Sequence, residues 1–219
     1  MIDAAAVAES LIKCFDASRF FASPYRHWLL ADVLPPEVCA GVDSLPVRAA
    51  RTDDPLGKRE THNSSRLFFN AKRRARYPVC EAIGAGFQSA PVVERVERLC
   101  EAKLAGSYLR IEYCLDGEGF WLEPHTDIGA KLFTMLVYLS SGPGSEAWGT
   151  DILDSNLNLV AVAPYQRNAG LIFVPGSDTW HGFRRRPMNG VRRSLVVNYV
   201  KPEWRNRHEL AFPDRSAGV

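Results

Sequence analysis

Apolar positions recur with the period of a helix along the first hundred residues, and with the period of a strand along the next hundred. Val7, Leu11, Cys14 and Phe15 fall at i, i+4, i+7 and i+8, one face of a helix. Pro35-Pro36-Glu37 puts proline and an acid where a helix starts, so a short second helix is predicted to run to about Gly41 or Asp43. The stretch from Arg51 to Asn70 is polar and broken by Asp-Pro and Leu-Gly pairs, which predicts loop. Two further helices are predicted, one from about Pro78 to Phe87 and one carrying Val92, Val96, Leu99 and Cys100.

From Ser107 the period shortens. The runs Tyr108 to Tyr113, Phe120 to His125, Leu132 to Leu139, Thr150 to Leu153, Leu157 to Val162, Leu171 to Val174 and Arg192 to Val200 read as strands. Turn signals separate them, among them Asp116-Gly117-Glu118-Gly119, Ser141-Gly142-Pro143-Gly144 and Pro175-Gly176-Ser177. So many short strands in succession predict a sandwich or jelly-roll barrel, with the earlier helices packed outside it in one α+β unit. The expected organisation is a single domain: residues 1–106 a mainly helical flank, 107–200 a β core, and 201–219 a tail that is polar after Arg205 and frays.

Composition narrows the class. The chain has 219 residues, with 46% hydrophobic and 24% charged, as a soluble globular protein does. A net charge of +2 supplies no field that demands nucleic acid or an anionic membrane. No apolar run approaches the roughly 20 residues of a membrane helix. The start, Met1-Ile2-Asp3, lacks the basic segment of a signal peptide. Five scattered cysteines (Cys14, Cys39, Cys80, Cys100 and Cys114) form no C-x-x-C, so reduced thiols and a cytoplasmic location are expected.

The chemistry concentrates in the β-rich half. In His125-Thr126-Asp127 the period of two places the imidazole and the carboxylate on one face of a strand. His181, from a later strand or its edge, completes a set of two imidazoles and one carboxylate. Such a face suits non-haem Fe(II) and leaves positions open for co-substrates. An H-x-D alone is common by chance, but only five histidines are present, and His27, His62 and His208 have no ligand-like neighbours and are read as structural or surface residues. Arg192 and Ser194 share a face of the last strand, where a guanidinium fork and a hydroxyl two residues on can hold a buried carboxylate. Arg193 then points the other way.

These strings resemble the Fe(II)/2-oxoglutarate-dependent oxygenase superfamily. The resemblance runs from about Tyr108 to Val200 and rests on His125-Thr126-Asp127, Gly170-Leu171-Ile172-Phe173, Trp180-His181-Gly182-Phe183 and Arg192-Arg193-Ser194-Leu195. Ten residues separate His181 from Arg192, the superfamily's spacing. Tyr113 through Gly117, and Gly119 to Pro124-His125, are similar to its tyrosine, glycine-rich turn and iron-bearing strand. The resemblance implies a double-stranded β-helix (a jelly roll of cupin type) with iron at its mouth. It implies conversion of 2-oxoglutarate and O2 to succinate and CO2, coupled to attack on a substrate C–H bond. Carried over, His125, Asp127 and His181 are iron ligands; Arg192 pairs the distal carboxylate of 2-oxoglutarate with help from Ser194; Tyr113 is a further contact. Asp127 departs from the halogenase branch, Arg192 from the lysine anchor of collagen-type prolyl hydroxylases, and the last strand does not fit the nucleic-acid demethylase pattern.

For the substrate the signals are thinner. Trp121 and Trp180 flank the ligand-bearing segments and are candidates for pocket walls. Arg184, in the run Arg184-Arg185-Arg186, is a candidate for an anionic group, although such a run is more often a solvated loop. Lys72-Arg73-Arg74-Ala75-Arg76 reads as a helix start or exposed turn. Asn63 and Arg66, in the polar loop before the strands, are candidates for a lid. The leading expectation is a hydroxylase of a small-molecule or amino-acid-like substrate, with no nucleic-acid or membrane partner. A protein-residue hydroxylase, a non-catalytic cupin-like binding protein and a zinc hydrolase on the same three ligands stand as alternatives. The last leaves Arg192 and Ser194 without a role.

Overall fold

The computed structural model describes residues 2–49, 57–58 and 65–219. Helix α1 (Ala4–Asp16) is capped by Asp3, whose carboxylate accepts from the Ala5 N–H at 3.3 Å, and buries Val7, Leu11, Cys14 and Phe15, the stripe that the period marks. Two short strands follow, β1 (Arg19–Phe21) and β2 (His27–Leu30), then α2 (Pro36–Asp43) with proline at its first position. Strand β3 (Arg66–Phe68) falls inside the stretch read as loop. The basic run forms α3 (Ala71–Arg76), capped by Asn70, which accepts from the Arg73 N–H at 3.1 Å. Helices α4 (Pro78–Gln88) and α5 (Ala90–Cys100) precede the β-rich half.

That half contains β4 (Tyr108–Asp116), β5 (Leu122–His125), β6 (Lys131–Tyr138), β7 (Asp151–Leu153), β8 (Leu159–Val162), β9 (Gly170–Phe173), β10 (His181–Phe183) and β11 (Arg192–Val200). One antiparallel sheet runs β1-β2-β9-β6-β11-β4-β3 and a second runs β5-β10-β7-β8. Among the described residues no strand of one is paired with a strand of the other, so two sheets stand in place of a closed barrel.

Alternation along the large sheet divides the interior. Leu109, Ile111 and Tyr113 of β4, Phe133 and Met135 of β6, and Leu195, Val197 and Tyr199 of β11 belong to one buried cluster with Val7, Leu11, Ile83, Phe87 and Val96 of the helices. The opposite face supplies Cys114, Leu136, Tyr138, Leu171, Phe173 and Val196 to a second cluster, shared with Ile152 and Phe183 of the small sheet. The polar site is built on this second face. The tail does not fray. Leu210 and Ala211 are 1% and 0% exposed, the Ala211 N–H bonds the Leu109 carbonyl at 2.9 Å, and the Gln88 amide holds the Ser216 carbonyl at 2.5 Å. The tail's few apolar residues cover the end of β4 and α4, an outcome that its overall polarity hides.

Candidate functional site

His125 and His181 sit directly opposite each other in the antiparallel ladder of β5 and β10, with ring centroids 4.3 Å apart. The pairing shifts by one residue between His181 and Phe183, a bulge that re-aims the end of β5. Gly182 permits it, since a Cβ there would meet the Leu122 and Glu123 carbonyl oxygens at 3.0 and 3.2 Å. β5 ends at His125, so Asp127 lies past the strand, at the turn closed by the Lys131 N–H on the Ile128 carbonyl at 2.9 Å. One ligand atom from each of His125, Asp127 and His181 lies within 4.8 Å of the others, the separation that a single ion can span.

The surroundings of the three prepare them as ligands. The Nδ1 of His125 lies 2.8 Å from the Glu123 carbonyl and that of His181 lies 2.9 Å from the Thr179 carbonyl. A carbonyl only accepts, so each Nδ1 carries the proton and each Nε2 presents a lone pair. Burial, then the charge of His125, pushes His181 down to about 4, which keeps that lone pair available near neutral pH. Burial would raise the Asp127 carboxyl, but the Lys131 ammonium, His181 and the Thr134 hydroxyl outweigh it and hold the group well below the usual carboxylate range. Lys131 Nζ donates to Oδ1 at 2.5 Å and Thr134 Oγ1 to Oδ2 at 2.6 Å. Asn198 Nδ2 in turn donates to Thr134 Oγ1 at 2.9 Å, so the carboxylate is fixed from behind. Two imidazoles and one ionised carboxylate fit a divalent first-row metal.

The triad lines a cavity of about 360 Å³ between the sheets. Arg192, which the pleat turns inward with Val196, also lines it and is 2% exposed. Its Nη1 donates to Asp116 at 2.7 Å and its Nε to the Trp148 carbonyl at 2.8 Å, so the guanidinium is already held by a counter-ion of the chain. Ser194, between Arg192 and Val196 on that face, is buried, and its Oγ finds no hydrogen-bond partner among the described residues. An orphaned hydroxyl beside a buried guanidinium fits an absent carboxylate.

Other candidates sit elsewhere. Tyr113 lies on the opposite face of β4, in the helix-side core, where burial pushes its hydroxyl up to about 12; it does not line the cavity. The reason is parity, because Asp116, Glu112 and Arg110 take the inward face of β4. The tyrosines near Arg192 are Tyr138 and Tyr165, with ring centroids 5.8 and 5.7 Å from its guanidinium carbon. Trp121 is half-buried under Arg185, at 5.0 Å, and neither it nor Trp180 lines the cavity. Arg184 is committed to the fully buried Asp151, which accepts from its backbone N–H at 2.7 Å, and Arg186 binds the other oxygen of the same carboxylate. These arginines close a buried charge, and neither lines the cavity. Arg66 does line the cavity, ion-paired with Glu112. Asn63 and His62 lie outside the described residues.

The cavity also holds residues that pattern reading passed over: Arg110, Glu112, Trp204, Asn206 and Glu209, with Thr134 and Lys131 behind the triad. One signal was present. Arg110, Glu112 and Asp116 put charge on three of the five positions of one face of β4, Tyr108 and Cys114 being the other two, while the opposite face carries Leu109, Ile111, Tyr113 and Leu115.

No protein-family profile and no curated protein matches the chain. Solved structures do match over most of its length. A prolyl 4-hydroxylase from Phytophthora capsici superposes with TM-score 0.58 at 11% identity, over 92% of this chain and 66% of that one, so the chain spans about two thirds of that enzyme. A Trichoplax adhaerens prolyl hydroxylase, in complex with a hypoxia inducible factor oxygen degradation domain peptide fragment, gives 0.58 at 13%, over 89% of each chain. SnoN, a non-heme alpha ketoglutarate dependent epimerase from nogalamycin biosynthesis, gives 0.53 at 14%, over 90% of this chain and 84% of that one. The chain shares the fold of these enzymes.

Proposed function

We propose that the protein is an Fe(II)- and 2-oxoglutarate-dependent dioxygenase that oxidises, by hydroxylation in the simplest case, an unactivated C–H bond of a small-molecule or amino-acid-like substrate. The observation that carries this reading is one cavity with a two-histidine, one-carboxylate face along one wall and the buried Arg192 along another, with the orphaned Ser194 hydroxyl on the same strand face as that arginine. His125, Asp127 and His181 would hold the metal, and Arg192 with Ser194 the distal carboxylate of 2-oxoglutarate. Bound iron supplies O2 activation coupled to decarboxylation of the 2-oxo acid. The chain's own part is to keep the His181 Nε2 lone pair unprotonated, to lock the Asp127 carboxylate through Lys131 and Thr134, and to wall the cavity with Leu122, Leu136, Phe183 and Val196 against bulk water. Five buried free thiols favour a reducing, cytoplasmic setting, and no helix among the described residues is long and apolar enough to cross a membrane. The peptide carried by the Trichoplax structure keeps a protein-residue hydroxylase as the second reading.

Anaerobic addition of Fe(II) and 2-oxoglutarate to the purified protein tests the assignment. A weak visible charge-transfer band that is lost in His125→Ala and weakened in Arg192→Ala is the expected result. Metal binding without any band discards the oxygenase in favour of a cupin-like or zinc protein.

A further inference from the structure

The cavity contains a layer of charge that neither a metal nor a 2-oxo acid requires. Arg110 donates from Nε to Glu209 at 2.6 Å, from Nη2 to Glu112 at 3.1 Å and from Nη1 to Asn198 at 3.2 Å. Its guanidinium lies between the rings of Phe68 and Trp204, at 4.9 and 5.2 Å. Glu112 also pairs with Arg66. Burying four ions costs desolvation that mutual pairing roughly offsets, so the layer is weak as a device for stability alone. Its position beside the metal face, with Trp204, Asn206 and Glu209 brought in by the tail, gives it another use.

Three observations define what fits there. The first is an orphan donor: the Trp204 indole N–H is buried and has no acceptor among the described residues, a state that a ligand oxygen would relieve. The second is a lightly held acceptor. Glu209 gives Oε2 to Arg110, while among the described residues its Oε1 is engaged only by Asn206, at 3.3 Å. The third is charge balance. Among the described residues, Arg66, Arg110, Lys131 and Arg192 are matched by Glu112, Glu209, Asp127 and the Asp116 that pairs Arg192. A divalent metal and a dianionic 2-oxo acid cancel each other. A third occupant with net charge would then sit uncompensated in a site of low dielectric, while an apolar one would leave the orphan groups unsatisfied. Room is also limited, since about 360 Å³ lies near the small end of ligand pockets and must take the co-substrate too.

We propose that the substrate is a small free zwitterion of zero net charge, its carboxylate accepting from the Trp204 indole N–H and Arg110 and its ammonium donating to Glu209. This rests on the oxygenase reading above and selects the amino-acid branch of it. A residue inside a peptide offers neither free terminus to these groups and is not the substrate.

The test is calorimetric titration of the whole protein. Mn(II) is added first, then 2-oxoglutarate, and then a panel of free α-, β- and γ-amino acids, each compared with its N-acetylated and carboxamide forms. The expected result is a free amino acid that binds the loaded protein, with either blocked form weaker by about tenfold or more, the scale of one lost charge-assisted hydrogen bond. Trp204→Phe, which keeps the ring and removes the N–H, should weaken that amino acid by a similar factor and leave 2-oxoglutarate unchanged. Glu209→Gln should do the same through the ammonium. A blocked form or an internal peptide that binds as tightly, full affinity in Trp204→Phe, or a silent panel on protein that has taken up 2-oxoglutarate overturns the inference while the oxygenase stands. Failure of 2-oxoglutarate itself to bind removes both.

Discussion

Replacing Asp116 by alanine isolates Arg192, the arginine proposed to hold 2-oxoglutarate. Arg192 and Asp116 are cross-strand partners in β11 and β4, their side chains are each 2% exposed, and the pair is closed at 2.7 Å. The variant leaves a buried guanidinium with the Trp148 carbonyl, at 2.8 Å, as its remaining hydrogen-bond acceptor. Breaking a buried pair from one side costs about 3–5 kcal/mol. At about 2–4 °C per kcal/mol for a chain of this size, Tm should fall by roughly 6–20 °C. The distal carboxylate of 2-oxoglutarate would replace the lost counter-charge, so saturating Mn(II) and 2-oxoglutarate should raise Tm by more in Asp116→Ala than in the wild type. The double variant Asp116→Leu, Arg192→Met removes both charges and should recover most of the stability, because apolar replacement of a buried pair is often neutral. It should gain nothing from 2-oxoglutarate beyond what Mn(II) gives alone. Thermal unfolding of the three proteins, with and without ligands, reads all of this. A fall of less than about 2 °C in Asp116→Ala, or a full 2-oxoglutarate shift in the double variant, would refute the reasoning.

Thr134→Val removes the hydroxyl that joins Asn198 to Asp127; stability should fall by about 1–2 kcal/mol in denaturant titration, and Mn(II) affinity by about 10–100-fold. Leu210→Ala should cost about 2–4 kcal/mol if the tail is packed as the structure has it, against less than about 0.5 for a frayed segment. Burial lowers the pKa of His27 from its ordinary 6.5, so the folded state binds fewer protons than the unfolded chain. Its contribution is therefore intact above about pH 6.5 and lost as pH falls below that value. His27→Gln should flatten the Tm profile over that acid side, and an unchanged slope would exclude the assignment.

Helices α1 and α5 were legible because each buries a stripe that recurs at helical spacing, and the main strands because turn residues bracket them. Strands β1 and β2 were hidden inside the helical half. His27-Trp28-Leu29-Leu30 is too short for its period to speak, and it becomes a strand only by pairing with β9, far along the chain. β3 is fixed by pairing with β4 in the same way. Tyr113 was misplaced because a strand's period gives two faces without saying which is inward; the helices packed against one face of β4 decide that.

The sequence by itself determined the local facts: where the longer helices lie, and that Arg192 shares a face with Ser194. These follow from dihedral periodicity, which acts over a few residues. Only the tertiary structure decided that His181 stands opposite His125, that Asp116 holds Arg192, and that Arg110, Trp204 and Glu209 meet in one cavity. Those meetings depend on strand register and on where the tail packs. Register and tail packing are settled by burial summed over residues distant in the chain, so the ligand type could be read early and the walls of the site could not.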